Sequence, residues 1–141
     1  MEGLRVPGTL DALDDIADYV KRVAQSASLD DRAAYRLRLA VDEIATNVIT
    51  HGYQEAGLQG DIQLQAELTP ETLIIHMDDT GITYDPAQSV ARSELFLTKD
   101  LDQRPIGGLG VFLAIQSVDR FIYQRHDGYN RNSFVIYRRS A

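Results

Sequence analysis

Glu43 and Asn47 stand four residues apart in the segment LRLAVDEIATNVITHGY, residues 37–53, where they offer a carboxylate and a carboxamide to one ligand. Leu37, Val41, Ile44, Ala45 and Val48 recur at the spacing of a helix that buries one stripe against a core. At about 100° per residue, Glu43 and Asn47 fall roughly 100–150° from the centre of that stripe, stacked on one helix edge. Oxygen donors of this kind suit Mg²⁺, which keeps several waters and takes one or two protein ligands, while a carboxylate left free nearby can accept a proton. The pair is not diagnostic alone, because Glu and Asn at this spacing also occur on solvated helix faces.

Two further segments carry chemistry. In MDDTGITYDP, residues 77–86, Asp79 sits where a buried strand gives way to a loop, and Gly81 follows two residues later. A carboxylate there can accept a hydrogen bond from the exocyclic amine of adenine, and the glycine permits close backbone approach. The same residues could also make an ordinary Asx turn. In RPIGGLGV, residues 104–111, Gly107, Gly108 and Gly110 precede a helix, so that exposed N–H groups and the helix dipole would together cradle phosphate. This is neither a Walker loop, since no Gly-Lys-Ser/Thr follows, nor the dinucleotide fingerprint.

These residues need elements to hold them. The pattern predicts a first strand over residues 3–7, then Thr9 as N-cap of a helix through Leu10, Leu13, Ile16, Ala17 and Val20. Ser28 with Asp31 resembles the start of the second helix, which runs to about Gly52. Residues 61–68 and 72–77 alternate apolar and polar around Thr69-Pro70-Glu71, the pattern of an antiparallel hairpin. Residues 80–107 lose periodicity and are too long for a routine connection, which predicts a functional loop. A helix over 109–118 and a terminal hairpin of 121–125 with 133–138 around Asp127-Gly128 complete the chain. The expected architecture is α/β, a two-layer sandwich with a mixed, mainly antiparallel sheet and helices on one face, in a single domain over 1–141.

Composition narrows the function. At 141 residues and 44% hydrophobic the chain can bury one sizeable core. No apolar run is long enough for a membrane helix, and the N-terminus lacks a secretory pattern, so a cytoplasmic protein without a membrane partner is expected. The absence of cysteine excludes disulfides and thiolate metal sites. A net charge of −7, with no basic stretch, argues against nucleic acid as a partner. His51, four residues beyond Asn47, is expected to cap the helix end and not to extend a metal triad.

Taken in order, the three segments resemble the GHKL ATPase superfamily with its Bergerat-type ATP-binding fold, and within it the small anti-sigma-factor serine kinases of bacterial partner switching. Glu43 and Asn47 match the family's E-x-x-x-N box, Asp79 and Gly81 its D-x-G box, and Gly108-Leu109-Gly110 the glycine box that ends the ATP lid. The phrase GGLGVFLAIQSVDRFIYQR is especially similar to this subgroup. The resemblance implies ATP and Mg²⁺ as ligands, with Asn47 holding the metal, Asp79 recognising adenine and the backbone of Gly107, Gly108, Leu109 and Gly110 wrapping the phosphates. Glu43 would be the general base towards a serine on an antagonist protein, and Arg104 and Lys99 could approach the phosphates from the lid, if they are not simply solvated loop charges. A sequestered partner such as a sigma factor, and a homodimer, are implied in the same way. Thr83 departs from the pattern, since relatives often carry a second glycine or a proline near this position. A noncatalytic ATP-gated interaction module and a slow ATP hydrolase remain open alternatives. A histidine kinase is not expected, because no dimerisation-and-phosphoacceptor helix pair is present.

Overall fold

Along Asp61–Leu68 (β2) every second residue turns inward, so Ile62, Leu64 and Ala66 are buried while Gln63, Gln65 and Glu67 face solvent. The next strand, β3 (Thr72–Asp79), follows the same rule with Leu73, Ile75, Met77 and Asp79 inside. A computed structural model, which describes residues 2–83 and 108–138, pairs these two strands as the expected hairpin, with Ile62 opposite Asp79 and Leu68 opposite Leu73. The Thr69 side chain closes the turn by accepting from the N–H of Thr72 at 2.9 Å.

A first strand, β1 (Leu4–Pro7), adds to β2, while β4 (Arg120–His126) and β5 (Tyr129–Tyr137) form the terminal hairpin and β5 completes the sheet beside β3. The strand order is β1-β2-β3-β5-β4. All four pairings are antiparallel, consistent with the mainly antiparallel sheet expected. Gly128, at φ 84°, makes the tight turn between β4 and β5. β5 begins at Tyr129, four residues earlier than sequence alone indicates. Its first residues alternate Tyr129, Asn130, Arg131, Asn132, where the inward-facing positions are polar, so the alternation carries no apolar signal.

The inner face of the sheet is covered by helices. Leu10–Ala12 forms a short 3₁₀ turn leading into α1 (Leu13–Ser26), which buries Ile16, Tyr19, Val20 and Val23. Thr9 occupies the N-cap position of that turn without a side-chain capping bond. Ser28 adopts a left-handed φ of 56° at the end of α1, and the cap of α2 (Asp31–Asn47) is Asp30, whose carboxylate accepts from the N–H of Ala33 at 2.8 Å. The expected start at Ser28 with Asp31 is therefore corrected by two residues. Leu37, Ala40, Val41, Ile44 and Ala45 of α2 join Ile62, Leu64, Ile75, Met77 and Phe134 in one core. A third helix, α3 (Gly108–Ser117), packs on α2 and contributes Val111 and Ala114.

The opposite face of the sheet mixes polar side chains with Ile74, Ile122 and Val135. Arg131 is bidentate to Asp78 at 2.8 Å through Nε and 2.8 Å through Nη2, and His76 lies between Ser133 Oγ at 2.7 Å and Glu67 Oε2 at 3.1 Å. Among the described residues no helix is long and apolar enough to cross a membrane. The part of the expected lid from Tyr84 onward, with Lys99, Arg104 and Gly107, lies outside the described residues.

Candidate active site

The α2 helix does not stop where α-helical geometry would take it. From Val48 to Gln54 the chain continues as a π-helix, closed by the N–H of Glu55 on the carbonyl of Thr50 at 2.9 Å, and in the turn that follows the N–H of Leu58 reaches the carbonyl of Tyr53 at 2.9 Å. The wider turn carries Gly52 and Tyr53 to the end of β3. Gly52 O accepts from the N–H of Ile82 at 3.1 Å, and Tyr53 Oη donates to Asp61 O at 2.6 Å while accepting from the N–H of Thr80 at 2.8 Å. Burial pushes the Tyr53 hydroxyl pKa up, keeping it a neutral donor. Glycine is required at position 81, because a Cβ there would meet Gly52 O at 2.7 Å. The helix with Glu43 and Asn47 is thus tied directly to the strand end with Asp79 and Gly81.

Glu43 and Asn47 are both half-buried on the edge predicted for them. Asn47 Nδ2 donates to the backbone carbonyl of Glu43 at 2.8 Å. This bond fixes the amide, and Oδ1 has no partner among the described residues, so it is the end available to a cation. Gly110, in the first turn of α3, faces Glu43: a Cβ at that position would lie 2.7 Å from Oε2 and 3.2 Å from Cδ. The structure therefore sets the Glu43 carboxylate against a helix start whose N–H groups lack intrahelical partners. The backbones of Gly108 and Leu109 belong to that same first turn.

Asp79 is 3% exposed. Its Oδ1 accepts from the N–H of Gly81 at 2.9 Å and from Asn130 Nδ2 at 3.0 Å, leaving Oδ2 without a partner among the described residues. Burial raises the carboxyl pKa above its ordinary range, opposed by the hydrogen bonds from Asn130 and Gly81 and by the charge of Arg125. Asn130 was not singled out from sequence. It stands opposite Asp79 in the β3–β5 register, and its Nδ2 also reaches Gly81 O at 3.2 Å and Ile82 O at 3.1 Å, while its Oδ1 accepts from Tyr123 Oη at 2.6 Å. The only signal available was an asparagine at an inward position of a strand, legible once the register is known. Two residues on, Asn132 Oδ1 is buried with no hydrogen-bond partner among the described residues. Such an orphan acceptor is where a bridging water or a ligand donor would be received. His51 pairs with Glu55 through Nδ1 at 2.6 Å, one turn along the same segment.

These features fit a magnesium nucleotide. The site offers a free carboxamide oxygen, a carboxylate beside a glycine-lined helix start, and a buried carboxylate with one open oxygen. A two-layer α/β sandwich with this site is a GHKL-type nucleotide-binding domain. Residues 6–136 match the histidine kinase-like ATPase domain, and the chain belongs to that family.

Among curated proteins, the chain is similar to the serine/threonine-protein kinase BtrW of Bordetella bronchiseptica, at 28% identity over 116 residues, 82% of this chain and 79% of that one. It is also similar to the serine-protein kinase RsbW of Bacillus subtilis, at 28% identity over 93 residues, 65% of this chain and 58% of the relative. Among solved structures, the histidine kinase domain of the Erythrobacter litoralis EL346 blue-light activated histidine kinase aligns with a TM-score of 0.53 at 17% identity, over 91% of this chain and 60% of that one. That likeness concerns the fold. The chain spans less than two thirds of the length of RsbW and of this solved kinase domain.

Proposed function

We propose that this chain is an ATP-dependent protein-serine kinase that phosphorylates a serine on an antagonist protein and sequesters a partner such as a sigma factor, as a cytoplasmic homodimer. The observation that carries the catalytic part is the Glu43 carboxylate, set against Gly110 at the start of α3 and one turn from the free Oδ1 of Asn47. The names of the similar BtrW and RsbW kinases support the reaction class.

Asn47 would hold Mg²⁺, which when bound supplies charge neutralisation across the phosphates. The α3 start receives phosphate oxygens on its N–H groups, and Asp79 orients the base through Oδ2, its own position fixed by Asn130 and Gly81. Glu43 takes the proton from the serine hydroxyl as its oxygen bonds to the γ-phosphorus. The bond between that phosphorus and the β–γ bridging oxygen breaks, and ADP leaves with the electron pair. Catalysis on this reading rests on positioning and charge more than on covalent chemistry by the protein.

The test is transfer of labelled γ-phosphate from Mg·ATP to antagonist-domain proteins of the same genome, with ATP binding followed in parallel. Native transfer is expected, and Glu43→Ala should lose it while keeping most ATP binding. Equal transfer by the Glu43→Ala protein would remove the base assignment. Binding without transfer to any candidate would leave a nucleotide-gated interaction module.

A further inference from the structure

Residues 35, 39, 43 and 47 form one i, i+4 row along α2. At its far end are Glu43 and Asn47, and at its near end Tyr35 and Leu39, which are 61% and 36% exposed. Helix α3 runs back along α2: Gly110 faces Glu43, and Ser117 shares a groove with Ala33 and Arg36 near the start of α2. Leu113, one turn beyond Gly110, is therefore beside the same stretch and is 51% exposed. Leu39 lies about 6 Å and Tyr35 about 12 Å along the helix axis from Glu43, at 1.5 Å per residue.

A serine hydroxyl that gives its proton to Glu43 must come within hydrogen-bond reach of it. The protein bearing that serine covers about 800 Å² in an ordinary interface, a disc of roughly 16 Å radius. Centred on Glu43, such a disc takes in Leu39 and Tyr35. The same end of α2 carries three exposed arginines, Arg32, Arg36 and Arg38, against two exposed carboxylates, Asp30 and Asp31, a small positive excess in a chain whose net charge is −7, and none of the arginines pairs with a carboxylate among the described residues.

We propose that Tyr35, Leu39 and Leu113, flanked by Arg32 and Arg36, form the docking surface for the serine-bearing protein substrate, and that the surface they receive is acidic around an apolar contact. This inference rests on the kinase function proposed above. Tyrosine and arginine are the side chains from which interface hot spots are most often drawn, the two leucines add apolar area beside them, and the arginine charge adds steering of an acidic partner.

The experiment is steady-state phosphotransfer with the antagonist-domain protein that the native chain phosphorylates, comparing Tyr35→Ser/Leu39→Ser, Arg32→Glu/Arg36→Glu and, as a control, Leu58→Ser on the loop before β2. The first two proteins are expected to raise KM for the acceptor about tenfold, while kcat and ATP affinity stay within about twofold and Leu58→Ser changes neither. The charge reversal should also flatten the dependence of kcat/KM on ionic strength. Unchanged acceptor KM in both variants overturns the docking surface while leaving the kinase function intact. A shift in sedimentation to a smaller species without a change in KM also overturns it, showing the patch to be a contact between copies of the chain. If the native chain phosphorylates no antagonist-domain protein, the kinase function fails first and the docking surface falls with it.

Discussion

Gly110→Ala separates the stability of this fold from its chemistry. The added methyl would stand 2.7 Å from Glu43 Oε2 and 3.2 Å from Cδ. Ordinary contact begins near 3.4 Å, so the carboxylate must retreat by about 0.7 Å. Since the obstacle is the end of a flexible side chain, the fold can accommodate the change. Alanine is moreover favoured over glycine in a helix by about 0.8–1 kcal/mol, with the lower end expected in a first turn. The variant should therefore melt at the native temperature or a few degrees above it. Transfer depends on sub-ångström placement, and a misplacement of about 1 Å can cost on the order of 10²-fold, so the rate should fall between about 10-fold and 100-fold. Single-turnover transfer from Mg·ATP, read beside a thermal melt and an ATP titration, tests both halves. A transfer rate within twofold of native, in a background where Glu43→Ala is inactive, would refute the claim that Gly110 makes room for a working carboxylate. A large loss of stability would refute the claim that only a mobile side chain stands in the way.

Asp79→Asn keeps the oxygen that accepts from Gly81 and Asn130 and removes the buried charge. Because the folded pKa of Asp79 is raised, its ionisation subtracts stability as pH climbs from the ordinary value of 3.8 through that raised value. The variant should accordingly be at least as stable as native at pH 7 and lose this advantage in acid, while discriminating less between adenine and guanine nucleotides. Melting curves across pH and competition titrations check the two parts, and a native advantage that grows with pH would contradict the sign. Asn130→Ala leaves the carbonyls of Gly81 and Ile82 without that donor, and should cost about 2–4 kcal/mol in denaturant unfolding and weaken ATP binding. Unchanged ATP affinity would show that Asn130 does not position Asp79. Tyr53→Phe preserves the ring but removes the hydroxyl that accepts from Thr80, at about 1–3 kcal/mol by the same unfolding assay, and a native midpoint would count against that link.

The parts of this chain governed by simple periods were legible in its sequence. The β2–β3 hairpin followed from alternation, and the buried stripe of α2 from Leu37, Val41, Ile44 and Ala45, which also put Glu43 and Asn47 on one edge. Long-range register was not legible, and Asn130 acquires its meaning only by lying opposite Asp79. The cap at Asp30 was missed because Ser28, Asp30 and Asp31 are all plausible caps, and the left-handed turn at Ser28 decides between them. The passage of α2 into a π-helix has no periodic signature, since its apolar residues fit an α-helix equally well over so few positions.

That π-helical stretch constrains how this sequence can vary in length. Deleting one residue between Val48 and Gln54 would turn every later side chain by one residue's rotation relative to α2. Tyr53 would then point away from Thr80, and Gly52 would no longer meet Ile82. No compensating change at a single position restores both contacts, because they lie on neighbouring residues of one rigid turn. The segment between Asn47 and Gln54 should therefore admit substitution far more readily than insertion or deletion. A homologue shortened there by one residue would have to rebuild the end of β3 to keep Asp79 and Gly81 tied to the helix that carries Glu43 and Asn47.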